Sequence, residues 1–364
     1  PYLGHVATRT RIPYVWDNTA TITLSRTRHT AKDNINNPQF VFPNWYVHGI
    51  GGSPDWQEKG PGSSATIQAS IEYPVGQFTP IKFGGASSGV AASGDNLVSD
   101  QADIRIPRGE IFYIRTHYSN AGGVLVFFQT DTARGEACDV GIAGTPSAAA
   151  LAGGTITDDG FTSGYGPCAI IAQTTLPSAL VVGDSRAYGS GDTFWDASTN
   201  QGIIERAIGD QLPVLNASIP GDNALYFIAS HSRRLALQLY CTHIIVQHGI
   251  NDLSNGRTSG QVLADREIIA DYFVGKVVLQ ATLEPVSTSS DSWATVTNQT
   301  TSGFEAARNA VNEAIRLSEL FLEIADGVES EHNSGLWASS GTASDITYDG
   351  VHSGPNGVAL GVRS

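Results

Sequence analysis

Polar and apolar residues alternate along Thr19–Ser25, with Ala20, Ile22 and Leu24 on one side and the threonines and Ser25 on the other. Ala65–Tyr73 repeats the pattern, with Ala65, Ile67, Ala69, Ile71 and Tyr73 opposite Thr66, Gln68, Ser70 and Glu72. A period of two over this length marks half-buried strands. Ile111–Tyr118 and Val124–Thr130 flank Ser119-Asn120-Ala121-Gly122-Gly123, which reads as the turn of a hairpin. Up to about residue 172 the chain continues as strands between Gly-, Ser- and Asn-rich turns, with no long helical pattern. An all-β domain is therefore expected over residues 1–172, a sandwich of jelly-roll type.

From residue 173 to 364 the pattern changes to strands alternating with helices. Leu180–Gly183, Pro213–Leu215, Thr242–Gln247 and Lys276–Thr282 read as short apolar strands. Gly202–Gly209, Asn223–Leu239 and Ser259–Phe273 read as the helices between them. Phe304, Ala307, Val311 and Ile315 then share one helix face, with Glu305, Arg308, Asn312 and Arg316 turned elsewhere. This order predicts an α/β domain, a parallel sheet with helices on both faces. Ligands of such folds bind beyond the carboxyl ends of the strands, so residues just after the strands carry the most weight.

Composition narrows the choice. With 41% hydrophobic and 15% charged residues among 364, the chain is a folded globular one. A net charge of −14 argues against a nucleic-acid partner, which needs a basic footprint. The longest apolar runs, such as Ala179–Val182 and Ile244–Val246, are far too short to span a membrane. A chain that opens on Pro1 and contains no Met reads as processed or trimmed. Its compartment stays unassigned, with export to a periplasm or the extracellular space the favoured reading. Three cysteines do not make a disulfide framework. Either all three are buried thiols, or Cys138 and Cys168 pair and Cys241 stays free.

Four short segments carry the chemistry: Gly183-Asp184-Ser185, Gly221 within Ser218-Ile219-Pro220-Gly221-Asp222, Gly249-Ile250-Asn251-Asp252, and Asp349-Gly350-Val351-His352. The first three follow expected strands. A serine hydroxyl needs a base to take its proton, and a histidine needs a carboxylate to fix its tautomer. Asp349 lies three residues before His352, so one turn can bring its carboxylate to Nδ1. In this order the four segments resemble the conserved blocks of the SGNH (GDSL) hydrolase family, over roughly Pro177 to Val362. The resemblance implies a flavodoxin-like three-layer domain and a serine esterase. It implies Ser185, His352 and Asp349 as nucleophile, base and acid. It also implies an oxyanion hole from the Ser185 N–H, the Gly221 N–H and the Asn251 amide. Ile219-Pro220 before Gly221 departs from the small-residue run usual in the second block. No cofactor or metal is expected. Asp184 and Asp252 are expected to brace their loops through backbone N–H groups.

Other features have plainer readings. Gly85-Ala86-Ser87-Ser88-Gly89 matches the nucleophile-elbow pattern but sits in the β-rich half without a helix after it, so it reads as a loop. His243 and His248 lie five apart on a strand and face opposite sides, which speaks against joint metal ligation. Trp195 and Trp337 are candidates to line an acyl or sugar pocket, and Trp45, Trp56 and Tyr46 to form a sugar-stacking surface on an accessory β domain. Within the resembled family, the favoured substrate is a small acyl ester, acetyl on carbohydrate, with a small molecule or polysaccharide as the ester's carrier. The rivals are a lipase, lysophospholipase or thioesterase for longer chains, and a binding or attachment protein without catalysis.

Overall fold

The computed structural model describes residues 1–49, 56–128, 130–142, 144–158, 160, 163–192 and 200–362. The chain divides into two compact units. The first comprises Pro1–Ser178 with Gln211–Leu215 and Leu239–Cys241, and the second holds the remainder. The strand Ala169–Thr174 runs across residue 172 because it pairs with Tyr2–His5 on one side and Gln39–Pro43 on the other.

In the first unit, antiparallel strands run in the order Phe78–Ile81, Ala65–Glu72, Ile111–Ser119, Ile22–Thr30, Ala137–Gly141. A second antiparallel sheet runs Tyr2–His5, Ala169–Thr174, Gln39–Pro43, Asn96–Val98. Ile67, Ile71 and Ile114 from the first sheet share one core with Phe40, Phe42 and Ile170 from the second. The alternating segments are strands, yet their polar sides are not exposed throughout. Thr23 and Ser25 are fully buried. So is Glu72, where Arg26 and Arg115 neutralise its carboxylate at 2.8 and 3.0 Å. Burial alone would raise the Glu72 pKa, but hydrogen bonds from the two arginines outweigh it and hold it at about 2.

The expected hairpin between Ile111–Tyr118 and Val124–Thr130 does not form. Ile111–Ser119 has both edges occupied, by Ile22–Thr30 and Ala65–Glu72. Val124–Phe128 pairs instead with Val15–Asp17 and Ser163–Gly164. A period-two pattern identifies a strand but not its partner. Cys138, Cys168 and Cys241 are buried thiols, and Cys138 and Cys168 form no disulfide with each other. Trp45, Tyr46 and Trp56 are at most 5% exposed and form no stacking surface. Trp45 donates its Nε1–H to Asn96 Oδ1 at 2.7 Å, which satisfies the one polar atom of a buried indole.

The second unit carries parallel strands. Ala179–Val182 pairs with His243–Val246, then Val277–Ala281 and Phe321–Leu322 follow outward. Asn216–Ile219 runs along the first strand, with the Ala217 N–H on the Val181 carbonyl and the Ile219 N–H on the Gly183 carbonyl. Helix Ser259–Asp271 starts at a capping box in which Thr258 and Gln261 satisfy each other's backbone N–H. It packs on Glu305–Arg316, around Val262, Leu283, Val311 and Ile315. Helix Gly202–Ile208 packs on Pro355–Gly361, a short helix that follows His352 and carries no long periodic pattern. The expected helix Asn223–Leu239 is broken into Ala224–Ala229 and Ser232–Ala236. Ser230 is extended there, and its carbonyl accepts an Arg234 N–H at 3.0 Å.

Asn44 lies in a buried polar network with Tyr118 and Asn120. It is fully buried, donates to the Ser63 and Ala91 carbonyls at 3.0 Å each, and accepts the Tyr118 hydroxyl at 2.7 Å. Asn44→Leu keeps the branched shape but removes the donor to the Ala91 carbonyl and the acceptor of the Tyr118 hydroxyl proton in a buried interior. Each stranded group costs about 1–3 kcal/mol, so the expected loss of unfolding free energy is several kcal/mol, read by urea denaturation. A loss within about 0.5 kcal/mol, the range of a neutral surface change, would contradict the network's role.

Candidate functional site

Three loops of the second unit leave the carboxyl ends of its parallel strands and are stitched together by hydrogen bonds. Gly183 follows Ala179–Val182 and has no room for a side chain, since a Cβ there would lie 2.8 Å from Ala187 Cβ. Asp184 caps the helical turn Ser185–Tyr188, accepting the Arg186 N–H on Oδ1 at 2.9 Å. The Asp184 N–H points to Gln247 Oε1, 3.4 Å away at the end of the neighbouring strand. Asn216 donates to the Ala187 carbonyl at 2.8 Å, which ties the second loop to the same turn.

Ser185 is half-buried at the start of that turn. Its Oγ lies 2.8 Å from His352 Nε2, and His352 Nδ1 lies 2.7 Å from Asp349 Oδ2. A carboxylate only accepts, so Nδ1 carries the proton and donates it to Asp349. Nε2 is then the acceptor of the Ser185 hydroxyl proton. Asp349 Oδ1 accepts the Val351 and His352 N–H groups at 2.8 Å each. Burial pushes the Asp349 pKa up, but the His352 bond and these backbone donors outweigh it and hold the carboxyl at about 2.

The turn that carries the acid and base is fixed from outside. Gly350 has φ +75°, and a Cβ there would lie 2.0 Å from the Ser287 carbonyl oxygen, so only glycine fits. Its carbonyl accepts the Trp337 Nε1–H at 3.0 Å and the Ser287 N–H at 3.1 Å. Thr347 Oγ1 accepts the Gly350 N–H at 3.0 Å and donates to the His352 carbonyl at 2.7 Å. Trp337 is completely buried and lines no pocket; its indole holds the turn instead. Trp195 lies outside the described residues.

Gly221 has φ +82°, a left-handed conformation that glycine adopts without strain. Asn251 donates one amide N–H to the Asp222 carbonyl at 2.8 Å, which links the second loop to the third and leaves its other N–H uncommitted by that bond. The Asp222 carboxylate is buried against Arg234 and lies 3.2 Å from His248 Nε2. Burial would raise its pKa, yet Arg234 and His248 keep it low. His248 is fully buried behind this loop, whereas His243 is partly exposed and bonds Thr242 Oγ1. Asp252 Oδ2 accepts the Ala224 N–H at 3.0 Å and so braces the third loop to the helix after the second. The Gly85–Gly89 segment leads from a turn, where the N–H groups of Gly84 and Gly85 bind the Asp100 carboxylate, into the strand Gly89–Ala91. Among the described residues no cluster of His, Cys, Asp and Glu is arranged to hold a metal ion, and no helix is long and apolar enough to cross a membrane.

Sequence reasoning missed Arg186, Glu284, Ser287, Thr347 and Ser353, which surround the candidate residues. Their one-dimensional pattern carries no signal, because each acts on a neighbour that is distant in the chain.

No protein-family model and no curated protein matches the chain. Solved structures do show similarity over about half of it. A member of the lipolytic G-D-S-L family from Veillonella parvula aligns with 52% of this chain and 95% of its own, at 16% identity and TM-score 0.38. A GDSL-like lipase from Bacteroides thetaiotaomicron aligns with 51% and 84%, at 13% identity and TM-score 0.36. A carbohydrate acetylesterase from Sinorhizobium meliloti aligns with 52% and 96%, at 17% identity and TM-score 0.34.

Asp184 supplies a pH test. Its Oδ2 has no partner among the described residues, and burial raises its pKa to about 6 despite Arg186 and the cap bond. The folded chain thus holds this proton more tightly than the unfolded one, whose carboxyl has the ordinary value of 3.8. The contribution of Asp184 to stability therefore falls as pH rises from about 4 to about 6, and the deficit stays constant above that. Asp184→Asn keeps a cap acceptor without the charge. Across that window the variant should gain thermal stability relative to wild type, and parallel melting curves would refute the assignment.

Proposed function

We propose that the second unit is a serine esterase with Ser185, His352 and Asp349 as its catalytic triad. The observation that carries this reading is the continuous chain Ser185 Oγ, His352 Nε2, His352 Nδ1, Asp349 Oδ2, with links of 2.8 and 2.7 Å. Ser185 Oγ attacks the ester carbonyl carbon while its proton passes to Nε2. The imidazolium so formed is stabilised by Asp349, already ionised. Collapse of the tetrahedral intermediate breaks the carbonyl carbon–alkoxy oxygen bond, and Nε2 returns the proton to the departing alcohol. Water then repeats the sequence on the acyl-serine, giving the acid and free Ser185.

The oxyanion of each intermediate is assigned to the Ser185 N–H, the Gly221 N–H and the uncommitted Asn251 N–H. One such donor is worth about 10²–10³ in kcat. Gly221 suits this because an unsubstituted backbone allows close approach. Asn251 suits it because its carboxamide is already oriented by the Asp222 carbonyl.

The substrate assigned is a small acyl ester, acetyl on a small molecule or carbohydrate polymer, with the β unit as an accessory. A net charge of −14 opposes approach to anionic lipid surfaces, and acyl-chain length separates the acetyl reading from neutral-lipid and thioester rivals. Wild type should hydrolyse p-nitrophenyl acetate, with rates falling from acetate to octanoate, and Ser185→Ala should lose about 10³-fold or more in kcat. Equal slow rates for wild type and variant would leave a non-catalytic binding protein. A maximum at octanoate would point to a lipase or thioesterase.

A further inference from the structure

Leu283–Ser287, the segment after the strand Val277–Ala281, touches every part of the proposed triad through a neighbouring residue. The Glu284 carbonyl accepts an Arg186 Nη1–H at 2.6 Å, and the Pro285 carbonyl accepts an Arg186 Nη2–H at 2.9 Å. Arg186 directly follows Ser185 and is 3% exposed. The Glu284 carboxylate accepts the Ser353 hydroxyl at 2.6 Å, and Ser353 directly follows His352. Three residues after Glu284, the Ser287 N–H holds the Gly350 carbonyl of the turn that carries Asp349.

The segment is itself anchored. The Leu283 N–H donates to Asn312 Oδ1 at 2.7 Å, and its carbonyl accepts from Asn312 Nδ2 at 2.9 Å and Arg308 Nη1 at 2.6 Å. Asn312 and Arg308 are fully buried on helix Glu305–Arg316. Ser185 and His352 lie 167 residues apart, and their contact leaves little latitude in angle or distance. Something must set their register, and Glu284, 1% exposed, meets both neighbours, Ser353 through its carboxylate and Arg186 through its main-chain carbonyl.

We propose that Glu284 is a positioning residue that registers His352 against Ser185: its carboxylate acts on the base through Ser353, while its main-chain carbonyl holds Arg186 beside the nucleophile. The proposal rests on the esterase reading of that pair. A 1 Å misplacement of reacting groups costs on the order of 10²-fold in rate, so a modest shift of the imidazole is expressed in turnover more than in binding. An ordinary buried hydroxyl–carboxylate bond predicts something different: lost stability, with the turnover of the folded protein unchanged.

The test uses Ser353→Ala, Glu284→Ala, Glu284→Gln and the double variant Ser353→Ala/Glu284→Ala. Two rates are read, p-nitrophenyl acetate turnover and labelling of Ser185 by a fluorophosphonate. Labelling reads the Ser185–His352 alignment without requiring any ester to turn over. Ser353→Ala and Glu284→Ala should each lower kcat and the labelling rate about 10-fold or more, with KM within about twofold. The double variant should be no slower than the slower single one, because both remove the same link. Glu284→Gln keeps an acceptor oxygen and should recover most of the rate lost by Glu284→Ala. Circular dichroism establishes folding, and if the Glu284 variants do not fold, Ser353→Ala decides alone.

A folded Ser353→Ala with kcat and labelling within about twofold of wild type overturns the proposal, since misalignment must show in both. Wild type that labels at Ser185 but turns over no ester refutes the esterase reading alone, and the labelling rates then decide on Glu284. Wild type that does neither overturns both.

Discussion

The arrangement around Ser185 depends on one asymmetry of hydrogen bonding. A carboxylate can accept but not donate, so Asp349 forces the His352 proton onto Nδ1 and leaves Nε2 as an acceptor. The 2.7 Å bond that does this joins residues three apart on a turn with a left-handed glycine. Such a turn is not rigid by itself. Thr347 closes it from within, and Trp337 and Ser287 hold its central carbonyl from outside. Removing those contacts would leave the residues in place but not the tautomer in register.

The same economy recurs in the buried arginines of the second unit. Arg186, Arg266 and Arg308 are almost wholly excluded from solvent, and each directs its guanidinium at main-chain carbonyls where strands end. Arg266 donates to the Val246 carbonyl at 2.6 Å and the Ala281 carbonyl at 2.8 Å, tying two adjacent strand ends. Arg308 binds the Leu283 carbonyl and the Glu329 carboxylate. Strand ends in a parallel sheet leave carbonyls without ladder partners, and a planar, multidentate donor satisfies several at once. Burying these charges costs desolvation, which the carbonyls and carboxylates offset. The loops that result are fixed in relation to one another.

The first unit uses both kinds of contact. Its apolar core fills the space between two antiparallel sheets, a neutral network joins Asn44, Tyr118 and Asn120, and the carboxylates of Glu72 and Glu136 are buried against arginines. The aromatic residues of its Gly-rich segments are interior packing residues. Trp45 and Trp56 are buried, at 0% and 5% exposure. Trp16 is the tryptophan of this unit that stands partly exposed, at 37%, with its Nε1–H on the Gly122 carbonyl.

Local pattern along the chain was enough to distinguish strands from helices. Ala65–Glu72 and Glu305–Arg316 are where their periodicities place them, because periodicity is the imprint of one buried face. The spacing Asp349 to His352 likewise foretold their contact, since a single turn closes over three residues. What the sequence could not determine was partnership between distant segments. Val124–Phe128 pairs with Val15–Asp17 instead of its neighbour in the chain because both edges of Ile111–Ser119 were already taken. The expected helix 223–239 breaks at Ser230, where the Arg234 side chain takes the carbonyl. Trp337 was legible only as an aromatic residue, and its task of holding the Gly350 carbonyl exists only once the two meet. Glu284, Arg186 and Ser353 had no sequence signal at all. Residue type and spacing therefore determined the candidate chemistry, and the tertiary structure alone decided what holds it in place, because those contacts join residues that no local pattern relates.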